Sequence, residues 1–278
     1  MKEPAGVIEL GFQRRGERTV AHKIYHHGNS RVSAGMGIRK YIEVPYYFLI
    51  SVGGGFIEGE TYTASMEVEP EAHAVVTTQA PTYIFKCNNH KQTVQEVDIR
   101  IDEQGILEYY ADPVIPYKNA YYLQENRIEM AKGSTLIFSD GLTAGWSPDD
   151  KPFQYDEVGL KTVIHRDGEL VLDDYLICNP KLDDMHGLGY FEGYQAYGSV
   201  VIIDDCIDKT VIDGIRDYLE AHHIDCLYGV TKLEKCGLVV RVLGANNHAL
   251  RSTIFGSINY FREEVKGYDP LALRKNDH

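Results

Sequence analysis

Tyr46-Tyr-Phe-Leu-Ile-Ser-Val-Gly-Gly-Gly-Phe-Ile-Glu-Gly-Glu-Thr-Tyr-Thr-Ala-Ser-Met-Glu-Val68 is the stretch whose reading decides the fold class. Glycines 53, 54, 55 and 59 fall within seven positions. Such density cannot lie inside a regular element, because glycine is the residue that reaches positive φ or lets another backbone pass close by. Before the glycines, Tyr46 to Val52 is a short apolar and aromatic run, the signature of a buried strand. After them, Tyr62, Ala64, Met66 and Val68 alternate with Thr61, Thr63, Ser65, Glu67 and Glu69, the period of a half-buried strand. The stretch therefore reads as strand, glycine-rich turn, strand, with Glu58 and Glu60 displayed on the turn and Gly54, Gly55 and Gly59 as its structural residues.

A phosphate-binding loop does not fit. A Walker loop ends in Gly-Lys-Ser/Thr and runs into a helix, whereas this one ends in Gly59-Glu60-Thr61 and runs into a strand. The glycines also miss the dinucleotide spacing, and an acid replaces the lysine, so the local charge repels phosphate.

The alternation continues along the chain. Gly6 to Phe12 and Thr19 to Tyr25 are strand-like around a charged turn, and Gly28 to Gly37 is expected to be polar and flexible. Ala72 to Thr78 follows the glycine turn; Pro81 ends or bends that strand because it cannot donate to a ladder. Further strands are expected around Val97 to Ile101, Ile106 to Tyr110, Tyr121 to Met130, Ser134 to Ser139, Val158 to Ile164 and Leu170 to Ile177. Asp167-Gly168 supplies a two-residue hairpin turn to the last pair. Asp140 to Gln154 reads as the longest loop. No fixed repeat period is visible.

The character changes near residue 200. Ser199 to Ile203 is a strand, and Asp208 caps a helix carrying Val211, Ile212, Ile215, Tyr218, Leu219 and His222 at helical spacing. Leu227 to Thr231 and Leu238 to Leu243 are strands. A second helix opens at Asn246 or Asn247, shows Leu250, Ile254, Ile258, Phe261 and Val265 on one face, and stops at Gly267 with Pro270 behind. The expectation is a β-rich body over 1–195 and a β-α-β-β-α portion over 196–278, packed on it with two helices on a small sheet.

The chain has 278 residues and 44% apolar composition, enough for a core without disulfides. Lys and Arg total 28 against 41 for Asp and Glu, a formal charge of −13. That excess disfavours nucleic acid and anionic membrane as partners. The five cysteines, 87, 178, 206, 226 and 236, form no CxxC pair, which argues against a disulfide framework and a structural zinc site. With no apolar leader at the start and no membrane-length apolar run, a reducing cytoplasm is the expected compartment.

No nucleophile elbow and no HExxH motif is present. His26-His27 in a strand point to opposite faces and cannot chelate one ion together. In the pair His222-His223, the first falls on the apolar helix face. Cys87 sits in a polar loop with Asn88, Asn89 and His90. The acid pairs Asp149/Asp150, Asp173/Asp174, Asp183/Asp184 and Asp204/Asp205 read as solvated groups at turns or strand ends. The residues alone define a soluble, acidic, β-rich protein with no recognisable catalytic set.

Several stretches together resemble the urease accessory protein family UreD, also called UreH. Gly54-Gly-Phe-Ile-Glu-Gly-Glu60 is similar to its Gly-Gly-x-x-x-Gly-Asp, and Thr77-Thr-Gln-Ala-Pro-Thr-Tyr-Ile-Phe-Lys86 to its Thr-Thr/Ser-Gln segment. Leu107-Glu-Tyr-Tyr-Ala-Asp-Pro-Val-Ile-Pro-Tyr117 is similar to its Leu-Glu-Tyr/Trp-x-x-x-Pro-x-Ile, while Asp140 to Ser147 and Tyr197 to Ser199 resemble the Gram-positive branch. Glu60 stands where the family usually has Asp. Gly141 and Trp146 stand where many members have Arg and Glu, so roles tied to those two groups do not carry over.

The resemblance implies a mainly β, helically coiled fold and no catalysis. It implies a scaffold and nickel conduit that binds UreF, which recruits the GTPase UreG, and docks on apo-urease, with no tightly bound cofactor and only transient Ni2+. Nickel in transit needs exchangeable oxygen or imidazole ligands, because thiolates would trap it. Glu60, Thr77, Thr78, Gln79 and Glu108 are the expected polar wall positions. Two other readings stand beside this one. The first is a β-rich glycoside hydrolase using Glu58 and Glu60 as an acid pair; the second is a metal-free adaptor binding partners through the tail helices.

Overall fold

The computed structural model describes residues 3–38, 41–222, 226–271 and 273. The chain opens with β1 (Gly6–Arg15), β2 (Arg18–Gly28), β3 (Ser30–Val32), β4 (Met36–Ile38), β5 (Tyr41–Ser51) and β6 (Thr61–Val68). It continues with β7 (His73–Thr78), β8 (Tyr83–Ile84), β9 (Thr93–Ile101), β10 (Ile106–Tyr110), β11 (Ile115–Pro116), β12 (Tyr121–Met130) and β13 (Thr135–Thr143). Then come β14 (Glu157–Arg166), β15 (Glu169–Cys178), β16 (Ala196–Ile203), α1 (Lys209–Ala221), β17 (Cys226–Lys232), β18 (Gly237–Gly244) and α2 (Asn247–Tyr260). A π-helical turn, Phe261–Val265, extends α2.

The two strands flanking the glycine turn do not pair with each other. β5 lies in a nine-stranded sheet of order β17-β18-β16-β13-β10-β7-β5-β3, with β4 as the ninth strand also paired to β5, and β6 in a seven-stranded sheet of order β15-β14-β12-β9-β6-β1-β2. From β5 to β14 the chain passes back and forth between these sheets, and each strand lies parallel to the one a full coil earlier. Tyr46 faces Val75, His73 faces Ile106, and Ile106 faces Thr135, steps of 29, 33 and 29 residues. The fold is thus mainly β and helically coiled, and among the described residues the helices lie near the C-terminus.

One end of the coil is made of tight corners. β6 to β7, β9 to β10 and β12 to β13 are each joined by four residues. In each corner the last N–H donates to the first carbonyl: Ala72 to Glu69, Gly105 to Asp102 and Ser134 to Ala131. The third residue is left-handed in all three, with φ of 61° at Glu71, 58° at Gln104 and 73° at Gly133. The other end carries the long loops, which stack as a short third face. Phe56 bridges Ile84, β8 pairs with β11, and Tyr117 bridges Trp146. Gly55 is required there by proximity, since a Cβ would lie 2.5 Å from the Tyr83 carbonyl oxygen. Gly54 and Gly59 have φ of 85° and 69°, as a glycine-built turn requires.

Burial sorts by strand parity. Met66, Ile99, Ile128, Leu107 and Phe138 face inward between the sheets near the tight corners. Tyr62, Tyr122, Val158 and Leu142 face inward near the loops. The outer face of the nine-stranded sheet, including Val75, Ile137, Val200 and Val240, is buried with Ile212, Ile215, Ile254 and Ile258 of the helices. Asp208 caps α1 by accepting from the Val211 amide at 3.0 Å, and Asn246 caps α2 by accepting from the Ala249 amide at 2.9 Å.

Five expectations need correction. The Gly28 to Gly37 segment contains β3 and enters β4, both paired with β5. The loop expected from Asp140 starts only after Thr143, because Asp140 to Thr143 pair with Ala196 to Ser199; the backbone of Tyr197 and Gly198 sits directly against Gly141, where a side chain would intrude. The C-terminal strands form no separate small sheet, since β16 pairs with β13 and β18 with β16. His222 is exposed at the end of α1, where a ring nitrogen lies 2.7 Å from the Tyr218 carbonyl oxygen; His223 lies outside the described residues. Asp173 and Asp174 sit in the middle of β15, opposite Val163 and Thr162.

Candidate functional site: a polar layer between the sheets

Between the two inward-facing apolar clusters runs a row of polar side chains, and strand register places it. On the nine-stranded sheet Asp140 stands opposite Ser199, and Ser199 opposite Arg241. On the seven-stranded sheet Tyr62, Gln95 and Gln124 share one row, and Asn126, Thr162 and Asp174 share the next. Inward residues of a β sandwich are ordinarily apolar. Here Gln124, Asn126, Asp140, Thr162 and Ser199 are all buried.

At one edge the row begins in a cavity of about 50 Å³ lined by Ser30, Tyr62, Thr78, Gln95 and Tyr109 among others. The Tyr122 hydroxyl donates to Gln95 Oε1 at 2.6 Å and stands 3.3 Å from Gln124 Oε1. The Gln124 amide donates to Asp140 Oδ2 at 3.4 Å. Farther on, the Asn126 amide donates to Thr162 Oγ1 at 2.9 Å, and Asn126 Oδ1 has no partner. The opposite edge is closed by an ion pair, Arg241 Nη2 to Asp174 Oδ1 at 2.6 Å.

Electrostatics single out Asp140. Burial, reinforced by the like charge of Asp174, pushes its carboxyl up to about 7. Burial also raises the phenols of Tyr109, Tyr122 and Tyr197, which therefore stay neutral donors and acceptors along the layer. Among the described residues no three His, Cys, Asp or Glu side chains converge as a metal site. The donors of the layer are two carboxylates, amide oxygens and hydroxyls.

The five expected wall residues are not brought together. Thr78 lines the cavity at the mouth of the layer, and its hydroxyl donates to Asp112 Oδ2 at 2.8 Å. Glu60 reaches the mouth indirectly, accepting from the Tyr62 hydroxyl at 2.7 Å. Gln79 is exposed and lines a separate cleft of about 720 Å³ beside the start of α2. Thr77 points to the outer face, where its hydroxyl donates to the Tyr110 carbonyl at 2.6 Å. Glu108 lies on that outer face too, fully buried under the helical segment. It accepts from His73 Nε2 at 2.7 Å and from the Tyr110 hydroxyl and the Arg262 guanidinium. Burial would raise its carboxyl, but the His73 hydrogen bond and the Arg262 charge prevail and hold it down to about 2.

Sequence reasoning missed Gln95, Gln124, Asn126, Asp140, Asp174 and Arg241. A signal for two of them was present: Gln124 and Asn126 share parity with buried Tyr122, Ile128 and Met130 in one uninterrupted strand.

The acid pair Glu58/Glu60 is not built for glycoside cleavage. Glu58 is engaged by the backbone amides of Asn89 at 2.6 Å and Lys91 at 3.1 Å and by the Asn89 side chain at 3.1 Å. It clamps one loop to the next, while Glu60 is held by Tyr62.

Fold and layer together define a class: a helically coiled β protein with a buried oxygen-lined row between its sheets, not a scaffold for acid–base hydrolysis. Residues 5–277 match the family described as UreD urease accessory protein. The urease accessory protein UreD of Streptococcus thermophilus strain CNRZ 1066 is 46% identical over 98% of this chain and 97% of its own length. That of Bacillus sp. strain TB-90 is 33% identical over 97% and 98%. The chain belongs to the UreD urease accessory protein family, and it is an accessory factor rather than an enzyme.

Proposed function

We propose that this protein acts in the cytoplasm as a scaffold and nickel conduit for urease maturation, in complex with UreF and UreG and docked on apo-urease. The observation that carries this reading is the polar layer, which crosses the sandwich from the cavity at Thr78 to the edge at Asp174. A divalent ion in transit needs neutral or anionic oxygen ligands that exchange readily. The layer offers those and no thiolate. Thr78 and the Glu60–Tyr62 pair belong to its entrance, whereas Thr77, Gln79 and Glu108 face other parts of the molecule.

The test is urease activation in cells expressing Glu60→Ala, Thr78→Val or Asp140→Asn, with UreF binding measured in parallel. The expected result is normal UreF binding with urease present but poorly metallated. Full activation by all three variants would overturn the conduit. In that case deletion of the protein would still leave metal-free urease if it served only as an adaptor.

A further inference from the structure

The molecule covers its two outer faces unequally. Both helices pack on the outer face of the nine-stranded sheet, and among the described residues no helix lies over the outer face of the seven-stranded one. Register lines up an apolar row on that bare face: Val94, Leu123, Gly159 and Ile177 stand side by side on β9, β12, β14 and β15. Tyr175, from the next row, reaches over Gly159, where a Cβ would lie 3.1 Å from both the Tyr175 ring and Leu123. Ile177 is 44% exposed and Tyr175 47%.

The loop after β15 continues from this row. The Asn179 amide donates to Glu157 Oε2 at 3.0 Å, and Lys181 Nζ lies 2.7 Å from Asp156 Oδ1, so the point where the loop leaves the sheet is fixed. The loop is fastened along its length. Met185 and Phe191 are buried in the apolar cluster at that end, and the Phe191 amide donates to the Met185 carbonyl at 3.0 Å. The Asp184 and Glu192 carboxylates accept from the amides of His186 at 3.1 Å and Gly189 at 3.0 Å. Yet Leu182 is 82% exposed and Leu188 91%. One exposed leucine means little. Two on a loop held this firmly, leading off an apolar row, make a preorganised contact surface that gives up little entropy on binding.

The surroundings are acidic. The two rows beside the apolar one are Glu96, Glu125, Lys161, Tyr175 and Asp98, Arg127, Val163, Asp173. Four carboxylates there meet two cations, and Arg127 is already shared by Glu96, Asp98 and Glu125 at 3.4, 3.5 and 2.7 Å. The loop adds Asp183, Asp184 and Glu192, while its Lys181 is engaged by Asp156.

We propose that the β15 face and the loop over 179–195 form one docking surface for a protein that presents an apolar patch ringed by lysine and arginine, with Tyr175, Ile177, Leu182 and Leu188 as the anchors. The acids steer the approach and set the register, and they reject a partner whose rim is itself acidic. The proposal deepens the maturation-complex reading and rests on it, since it assigns the face of this chain that a member of the complex takes.

The experiment is biolayer interferometry of the full-length protein against purified UreF, UreG and apo-urease in turn, at low and high salt. The wild type should bind at least one of them. The double variant Leu182→Ser/Leu188→Ser and the single variant Ile177→Ser should each weaken that binding at least about tenfold, and Leu182→Met/Leu188→Met should keep it. Asp173→Lys should weaken it about threefold at low salt and less at high salt. All four side chains are exposed, so the variants should keep the wild-type melting curve, which circular dichroism checks. Binding unchanged in the double serine variant, or strengthened by Asp173→Lys, would overturn the surface and leave the maturation complex standing. Failure of the wild type to bind any of the three would overturn both.

Discussion

Two buried carboxyls, on opposite faces of one sheet, give the molecule opposite responses to pH. Glu108 titrates below its ordinary value in the folded state, so its stabilisation is complete above about 4.5 and is lost as pH falls toward about 2. The contribution is on the order of 3 kcal/mol. Glu108→Gln leaves the Arg262 guanidinium buried beside a neutral amide, which should cost about 3–5 kcal/mol in urea unfolding at pH 7 and flatten the acid limb. Asp140 behaves in reverse. Its folded value lies above the ordinary one, so stability is greatest below about 4 and declines as pH rises through about 7. Asp140→Asn should therefore change stability at pH 4 by less than about 1 kcal/mol and raise it by a few kcal/mol, on the order of 2–4, at pH 8. Unfolding midpoints measured from pH 2 to 9 check both slopes. The functional reading requires this cost, because a carboxyl better solvated or paired would be a poorer ligand for a passing ion.

The tight corners show what sets an element's ends when the residues differ. Glu71, Gln104 and Gly133 occupy the same position in successive coils, all left-handed. Only glycine takes that conformation without strain, which costs an L-residue about 1 kcal/mol. Gln104→Gly should raise stability by up to about 1 kcal/mol and Gly133→Ala lower it by a similar amount, read as shifts in urea midpoint at constant slope. The same corners explain why the coil is hard to see in the chain. Strand parity, the Asp167-Gly168 hairpin turn, both helix caps and the break at Pro81 were all legible, because each is a local signal. The coil is not local: its conformation recurs while the residue at the left-handed position changes from Glu to Gln to Gly. The steps also vary, reaching 36 residues between Tyr121 and Glu157, since the loops at the far end differ in length. Asp140 and Asp174 were misread for a related reason. Two consecutive acids, or Asp-Gly, look like turn chemistry until pairing partners distant in sequence make them strand.

At the scale of the whole molecule, the last third of the chain completes structures that the first two thirds begin. β16 pairs along Leu136 to Thr143, the strand that carries Asp140. The helical segment supplies Arg262 to Glu108 and covers the outer apolar face of the nine-stranded sheet. A fragment of residues 1–195 would thus expose β13 as a long apolar edge, leave Glu108 without its guanidinium and uncover Val75, Tyr110 and Ile137. Unpaired apolar edges drive aggregation, and the lost burial exceeds the margin by which a domain is stable. The fragment should be recovered as aggregate or as a chain without a cooperative thermal transition, whereas the full chain melts cooperatively. Fragment 196–278 should behave likewise, and co-expression of the two should restore a soluble complex. A cooperative melt from 1–195 alone would mean that the body folds first and the tail docks on a finished surface. Without that result, the polar layer forms only when both parts are in place, because its two closing residues, Asp174 and Arg241, come from opposite sides of residue 195.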